Sequence, residues 1–329
     1  MCCAMCSPNG ECVSERMAIP AFGDVRAAAA RIASHVHRTP VLTSTTLNRE
    51  LGAEVFFKAE NLQKVGAFKA RGATNAVFSL DAGAAARGVA THSSGNHAAA
   101  LAYAAARRGI RCRVVMPETA PGIKVTAVRG YGAEVVFCPP AEREATCDRV
   151  VAATGAALIH PYDDPRVIAG QGTAALELLE EVPDLDYLVA PVGGGGLMSG
   201  TAIVGRALRP GMRLVGAEPA AVDDAFRSLA TGERRPRVSD PDTLADGLLT
   251  ALSERTFSIL RDAGVGIVTV SEADIVAAAR FHLERMKIVV EPSGAVPLAA
   301  VRTIGLALEG RRVGVIISGG NTDFAWLDR

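Results

Sequence analysis

From Asp24 onward, short apolar runs alternate with longer segments whose apolar positions recur every three to four residues. The first pattern predicts strands and the second predicts helices. Asp24 to His37 reads as an Ala-rich helix, Glu54 to Ala59 as a strand and Ala70 to Leu80 as a helix. Strand Gly88 to Thr91, helix Asn96 to Arg108 and strand Cys112 to Met116 follow. The alternation repeats through helix Ile123 to Tyr131, strand Glu134 to Phe137, helix Glu142 to Ala153 and strand Ala157 to Ile159. A helix from Pro165 to Glu181 leads to a buried strand, Tyr187 to Ala190, and a glycine run opens the next helix. Strands Leu214 to Ala217, Ile267 to Val270 and Val313 to Ile317 are separated by further helices.

Strands that are apolar throughout, alternating with helices, point to parallel sheets covered on both faces. The predicted class is α/β, with two doubly wound, mostly parallel sheet domains. Ligands of such domains sit at the carboxyl ends of the strands. His160 to Pro165 is turn-rich and reads as a crossing between domains, and Gly232 to Thr243 reads as a solvent-exposed loop.

The 329 residues suit about two domains of roughly 150 residues each. Thirty-five basic residues balance thirty-five acidic ones, which argues against nucleic acid or a membrane surface as partner. No apolar run reaches the length of a membrane span. With 49% apolar and 21% charged residues, the chain can fill a large core. Four of the seven cysteines, Cys2, Cys3, Cys6 and Cys12, crowd into the start, while Cys112, Cys138 and Cys147 are scattered. Cys3 and Cys6 have C-x-x-C spacing, but no second pair follows to complete a zinc site. Residues 1–18 are therefore read as a disordered extension. No charged start precedes an apolar stretch, so the expected compartment is a reducing cytoplasm.

Three glycine-rich loops follow predicted strands. Thr91-His92-Ser93-Ser94-Gly95-Asn96-His97 runs into a helix whose free amides would favour a carboxylate or phosphate. Its four polar residues exceed what an ordinary N-cap uses. Gly193-Gly194-Gly195-Gly196 costs about 1 kcal/mol of chain entropy per glycine, and a nest of amides around a phosphate would offset that. Leu197-Met198 stand where a nucleotide P-loop has Lys and Ser/Thr, and the dinucleotide fingerprint fails on its third glycine. Ser318-Gly319-Gly320-Asn321-Thr322 is either a third site loop or a plain turn.

Lys69 follows the apolar approach Val65-Gly66-Ala67-Phe68 and precedes Arg71. Desolvation and a neighbouring cation both lower a lysine's pKa and make its amine nucleophilic. A surface lysine is the plain alternative. Beside a phosphate loop and without a nucleotide motif, a reactive lysine suggests pyridoxal phosphate held as a Schiff base. Glu218 and Asp224, with an intervening carbonyl, are either helix caps or oxygen ligands for Mg²⁺, Mn²⁺ or Ca²⁺.

Ala67-Phe68-Lys69-Ala70-Arg71-Gly72-Ala73, the Ser-Ser-Gly-Asn-His loop, the four glycines and Ser318-Gly319-Gly320-Asn321 occur in one order over most of the chain. Together they resemble the fold-type II pyridoxal-phosphate enzymes, specifically the serine racemase and serine/threonine dehydratase family. Val167 to Thr173 and Val290-Glu291-Pro292 also look like family segments. The resemblance implies Lys69 as the Schiff-base lysine, Phe68 beside the ring and Asn96 at the ring hydroxyl. It places Gly193, Gly194, Gly195, Gly196 and Leu197 at the cofactor phosphate and Ser318 at the pyridine nitrogen. Ser93, Ser94, Asn96 and His97 would bind the substrate carboxylate. Glu218, the carbonyl of Val222, and Asp224 would hold a divalent cation.

The implied chemistry is removal of the α-proton by Lys69, loss of a β-hydroxyl, and release of a 2-oxo acid and ammonia. Serine and threonine are the default substrates, with 3-hydroxyaspartate as competitor. Ser94 matches the family's acid/base on the opposite ring face, which would permit serine racemisation as an alternative activity; it can equally serve as a carboxylate donor. Arg143 would clamp a second carboxylate or lie as one charge on an amphipathic helix. The resemblance also implies a homodimer and a small mobile domain over 81–164, with residues 19–80 and 165–329 forming the large one. No C-terminal regulatory domain follows the last motif, so feedback inhibition by isoleucine is not expected.

Overall fold

The structure, a computed structural model, describes residues 18–328 apart from Ser94 and Pro121. The four early cysteines lie outside the described residues. The described chain opens with helix α1 (Phe22–Ile32), strand β1 (Val41–Thr43), helix α2 (Thr45–Leu51) and strand β2 (Glu54–Ala59). Helices α3 (Lys69–Phe78) and α4 (Ala82–Arg87) precede β3 (Val89–His92), α5 (Asn96–Arg108), β4 (Cys112–Pro117) and α6 (Gly122–Gly130). Then come β5 (Glu134–Cys138), α7 (Arg143–Thr154), β6 (Ala157–Leu158), α8 (Pro165–Glu181), β7 (Tyr187–Pro191) and α9 (Gly196–Leu208). The chain finishes with β8 (Arg213–Pro219), α10 (Asp224–Thr231), α11 (Glu254–Asp262), β9 (Gly266–Val270), α12 (Glu272–Phe281), α13 (Pro292–Ile304) and β10 (Arg312–Ile317).

Two sheets result. Six strands run in the order β1-β2-β10-β7-β8-β9, all parallel except the β1–β2 pair. Four parallel strands form the second sheet in the order β5-β4-β3-β6. The smaller sheet comes from one contiguous stretch, while β10 returns from the far end to sit between β2 and β7. The apolar strands explain the covering on both faces. Along β7, Tyr187 and Val189 enter one core with α13, and Leu188 and Ala190 enter the other with α8 and α9. Successive side chains point to opposite faces, so both periods must be apolar. Each fully buried Leu or Val there contributes about 1.5–3 kcal/mol.

Most predicted elements stand within a residue or two of their expected bounds, and the 232–243 loop is irregular and largely exposed. The first helix is shorter than its composition predicts, ending at Ile32 instead of His37. Gln63 supplies the reason: its amide accepts from the His37 amide and donates to the His37 carbonyl, both at 2.7 Å. That pairing competes with helical bonds. β1, α2 and α4 are additions. They are short, and each is stabilised by something outside its own pattern, such as the Asp81 carboxylate capping α4 at the Ala84 amide, 2.8 Å away.

Candidate active site

Lys69 is the first residue of α3, directly after a distorted approach in which Val65 adopts φ 55°. A β-branched residue at positive φ is strained, and such strain concentrates at functional sites. The approach is tied to the last loop by backbone: Phe68 donates to the Ser318 carbonyl at 2.9 Å, and Ala67 bridges to Gly319. The first and last sequence motifs are thus one structural unit. The Lys69 amine lies 5.0 Å from the centre of the Phe68 ring and donates to the Pro161 carbonyl at 2.8 Å. Burial lowers its pKa to about 8, opposed by the charge of Glu291.

The glycine loop joins β7 to α9. Gly195 caps the helix at φ 82°, a left-handed conformation that excludes most other residues. A side chain at Gly194 would meet the Tyr162 ring at 2.4 Å. Among the described residues, the amides of Gly193, Gly194 and Gly195 have no hydrogen-bond partner. Three open amides ahead of a helix N-terminus fit a phosphate. Leu197 is buried in the first turn behind them. The loop is registered to Lys69 through close helix contacts. A side chain at Gly200 on α9 would stand 2.5 Å from the Gly172 amide of α8, and one at Gly170 of α8 would stand 2.7 Å from Arg71 O of α3.

Asn96 opens α5, and its amide nitrogen donates to both oxygens of Glu291, at 2.9 and 3.2 Å. Its carbonyl oxygen accepts from Asn321 at 2.9 Å. Glu291 is buried, which raises its pKa to about 7. Sequence reading touched Glu291 only as part of a family segment and assigned it no role. His97 is buried, bonds the Ile159 carbonyl through Nε2 at 3.1 Å, and leaves Nδ1 without a partner. Burial, then the charge of Lys69, lower its pKa to about 3. Ser93 lies 3.4 Å from the Gly95 amide. Ser94 lies outside the described residues. Ser318 is buried at the end of β10.

Arg143 begins α7, and among the described residues its side chain makes no hydrogen bond or ion pair with the other candidates. It does reach His92 electrostatically: burial lowers the His92 pKa, with smaller effects from Glu144 and Arg143. Glu218, at the end of β8, accepts from the Ala225 and Phe226 amides at 3.1 and 3.0 Å. Burial lifts its pKa to about 8, with Asp224 and Asp223 adding to the rise. Asp224, raised by burial to about 6, has a buried Oδ2 with no partner. Val222 is buried between them in a short turn. Two adjacent carboxylates, one orphaned, suit a hard cation. Among the described residues no cluster of three or more His, Cys, Asp or Glu could hold a metal, so carbonyl and water oxygens would complete the set.

The chain matches the family model described as pyridoxal-phosphate dependent enzyme over residues 32–319. It is 51% identical over 311 residues to a beta-hydroxyaspartate dehydratase of Paracoccus denitrificans, covering 93% of this chain and 98% of that one. It is 47% identical over 310 residues to an L-threo-3-hydroxyaspartate ammonia-lyase of Saccharomyces cerevisiae, covering 93% and 95%. The crystal structure of serine racemase from Dictyostelium discoideum superposes with a TM-score of 0.89 at 46% identity, covering 93% and 100%.

Proposed function

The chain belongs to the pyridoxal-phosphate dependent enzyme family, and from that premise we propose that it converts 3-hydroxyaspartate to a 2-oxo acid and ammonia, ahead of serine and threonine. It is an enzyme of the ammonia-lyase kind with pyridoxal 5'-phosphate as cofactor. The buried Lys69 amine, held at the Pro161 carbonyl next to Tyr162, whose ring packs on the glycine loop of open amides, is the observation that carries the reading. Similarity to two hydroxyaspartate-named relatives moves the weight from serine and threonine to 3-hydroxyaspartate.

When bound, pyridoxal phosphate supplies an electron sink for the charge left at the substrate α-carbon. Phe68, Lys69, Asn96, Gly193, Gly194, Gly195, Gly196, Leu197 and Ser318 would hold it. Lys69 takes the α-proton, its lowered pKa keeping a fraction of neutral amine near neutral pH. Ser93, Ser94, Asn96 and His97 bind the α-carboxylate at the start of α5. Arg143 receives the second carboxylate of 3-hydroxyaspartate, a role its place beside the His92 strand end supports. The serine at position 318 is neutral and would leave the bound cofactor a weaker electron sink than a charged partner would, which would suit prompt loss of the β-hydroxyl. Residues 81–164 act as a small unit that closes over the substrate and excludes water. Ser94 as acid/base on the opposite face gives the second reading, serine racemisation, which similarity to the Dictyostelium racemase supports.

The purified protein with pyridoxal phosphate and Mg²⁺ should release 2-oxo acid from one or more 3-hydroxyaspartate isomers faster than from L-serine, D-serine or L-threonine. Enantiomer exchange of serine with little oxo acid would overturn the lyase reading. A faster reaction with threonine would overturn the substrate choice alone.

Glu218, Val222 and Asp224 bind a divalent cation, Mg²⁺, Mn²⁺ or Ca²⁺, whose charge relieves two crowded carboxyls. Mg²⁺ at a hundredfold excess over its Kd is expected to add about 2.7 kcal/mol of stability, a rise of a few degrees in Tm. Asp224→Asn should abolish that rise, and an equal rise in the variant would remove the cation from this site. The family reading extends to a cytoplasmic homodimer. No helix among the described residues is long and apolar enough to cross a membrane.

A further inference from the structure

One imidazole holds the turn that follows β6. His160 Nδ1 accepts the Asp163 amide at 2.9 Å and lies 3.4 Å from the Tyr162 amide. A ring nitrogen that accepts is the unprotonated one, so the neutral ring carries its proton on Nε2. Pro161, between the ring and those amides, has no N–H of its own, and its carbonyl receives Lys69 Nζ at 2.8 Å. The His160 ring packs edge-on against His92 and Tyr162, with centroids 5.4 and 4.7 Å away. Beyond it, Asp163 pairs with buried Arg255, and Asp164 caps α8 through the Arg166 amide at 2.8 Å.

We propose that His160 is a positioning residue: by accepting the Tyr162 and Asp163 amides, it aims the Pro161 carbonyl at Lys69 and so fixes where the lysine ammonium is received whenever its amine is not bonded to the cofactor. This rests on the reading of Lys69 as the cofactor lysine. A carbonyl oxygen at hydrogen-bond distance favours ammonium over amine, against the burial that favours the amine. Glu291 acts with the carbonyl, and among the described residues His97 and His160 are further titratable groups that interact with Lys69. Burial holds those imidazoles to pKa values of about 3 and about 4, so both are neutral near pH 7. Replacing the His160 ring therefore removes no charge from the surroundings of Lys69. Any change in the lysine must come through the turn.

The full-length protein, freed of cofactor, would be mixed with pyridoxal phosphate from neutral to alkaline pH. In covalent capture the amine nitrogen bonds the aldehyde carbon and the aldehyde oxygen leaves as water, which visible absorbance follows. Neutral amine is the reacting form, so the rate rises through the pKa of Lys69. His160→Phe keeps a ring but loses the acceptor; it is expected to move the midpoint to lower pH by about one unit, the size of a lost charge-assisted hydrogen bond. At high pH, where the amine is neutral in both proteins, capture should still be several-fold slower because the amine has lost its aim. His160→Asn, whose Oδ1 can accept the same amides, should restore both quantities. Should His160→Phe fail to fold, His160→Ala removes the acceptor with less bulk and is read against His160→Asn in the same way. An unchanged midpoint without the acceptor, or an equal shift in His160→Asn, overturns the proposal. Lys69→Ala separates the two levels: capture with the wild-type band in that variant would sink the lysine assignment itself.

Discussion

Lys69→Ala is expected to abolish turnover, by at least about a thousandfold, and to remove the visible absorbance of covalently held cofactor. On the proposed reading both losses come from one atom, since the amine would hold the cofactor and take the α-proton. The stability readout should move the other way. In the folded protein burial lowers the Lys69 pKa from 10.5 to about 8, so the ammonium is disfavoured relative to the unfolded chain. That penalty is full below pH 8, shrinks between pH 8 and 10.5, and vanishes above it. The cofactor-free variant should therefore melt no lower than cofactor-free wild type at neutral pH, with any advantage fading as pH rises. Loss of activity with retained Tm excludes unfolding as the cause. Residual turnover near the wild-type rate, with the visible band intact, would place the reactive amine elsewhere.

Lys69 and the glycine loop were legible in the sequence because each is a contiguous run with a composition that ordinary turns do not favour. The partners of Lys69 were not. The Pro161 carbonyl and Glu291 stand 92 and 222 positions from it along the chain, and a backbone carbonyl has no sequence signature. Glu291 illustrates the limit well. Its segment could be noticed, but its burial and its bonds to Asn96 follow from β10 returning between β2 and β7, which local periodicity does not encode. The strand pattern gave the α/β class correctly, since parallel strands buried on both faces must be apolar at both periods. It missed β1 because three residues carry no period. For the proposed cation site, Glu218 and Asp224 were visible as acids on a turn, whereas the orphaned Oδ2 of Asp224 is a fact of packing.

The same motif that carries Lys69 carries the largest stability prediction. Arg71 is fully buried two residues on and faces the opposite side of α3. Its guanidinium donates to Glu60 through Nε and Nη2 at 2.7 and 2.8 Å, and to Glu177 through Nη1 and Nη2 at 2.7 and 2.8 Å. Thr173 takes a further bond at 3.1 Å. Buried Lys58 completes the group, donating to Thr39 O at 2.6 Å and pairing with Glu177 at 2.7 Å. Two cations and two carboxylates make the set neutral, and every guanidinium N–H is used. Arg71→Met would leave Glu60 buried with one cation fewer, which costs about 3–5 kcal/mol. Denaturant unfolding should show that loss as a lower midpoint at unchanged slope. Arg71→Lys keeps the charge but not the fork, and should fall between the two. Arg71→Met combined with Glu60→Gln should recover part of the loss, because the penalty comes from the stranded charge more than from missing attraction. Acid adds a second signature. The bonds to Arg71 and Lys58 outweigh burial at Glu177 and hold its pKa below the usual glutamate range. Its contribution is therefore present above the unfolded pKa and lost as pH falls through the folded one. Arg71→Met should flatten that acid limb. A loss under about 1 kcal/mol, with the limb unchanged, would mean that packing of α3 against α8 holds the turn without the charges.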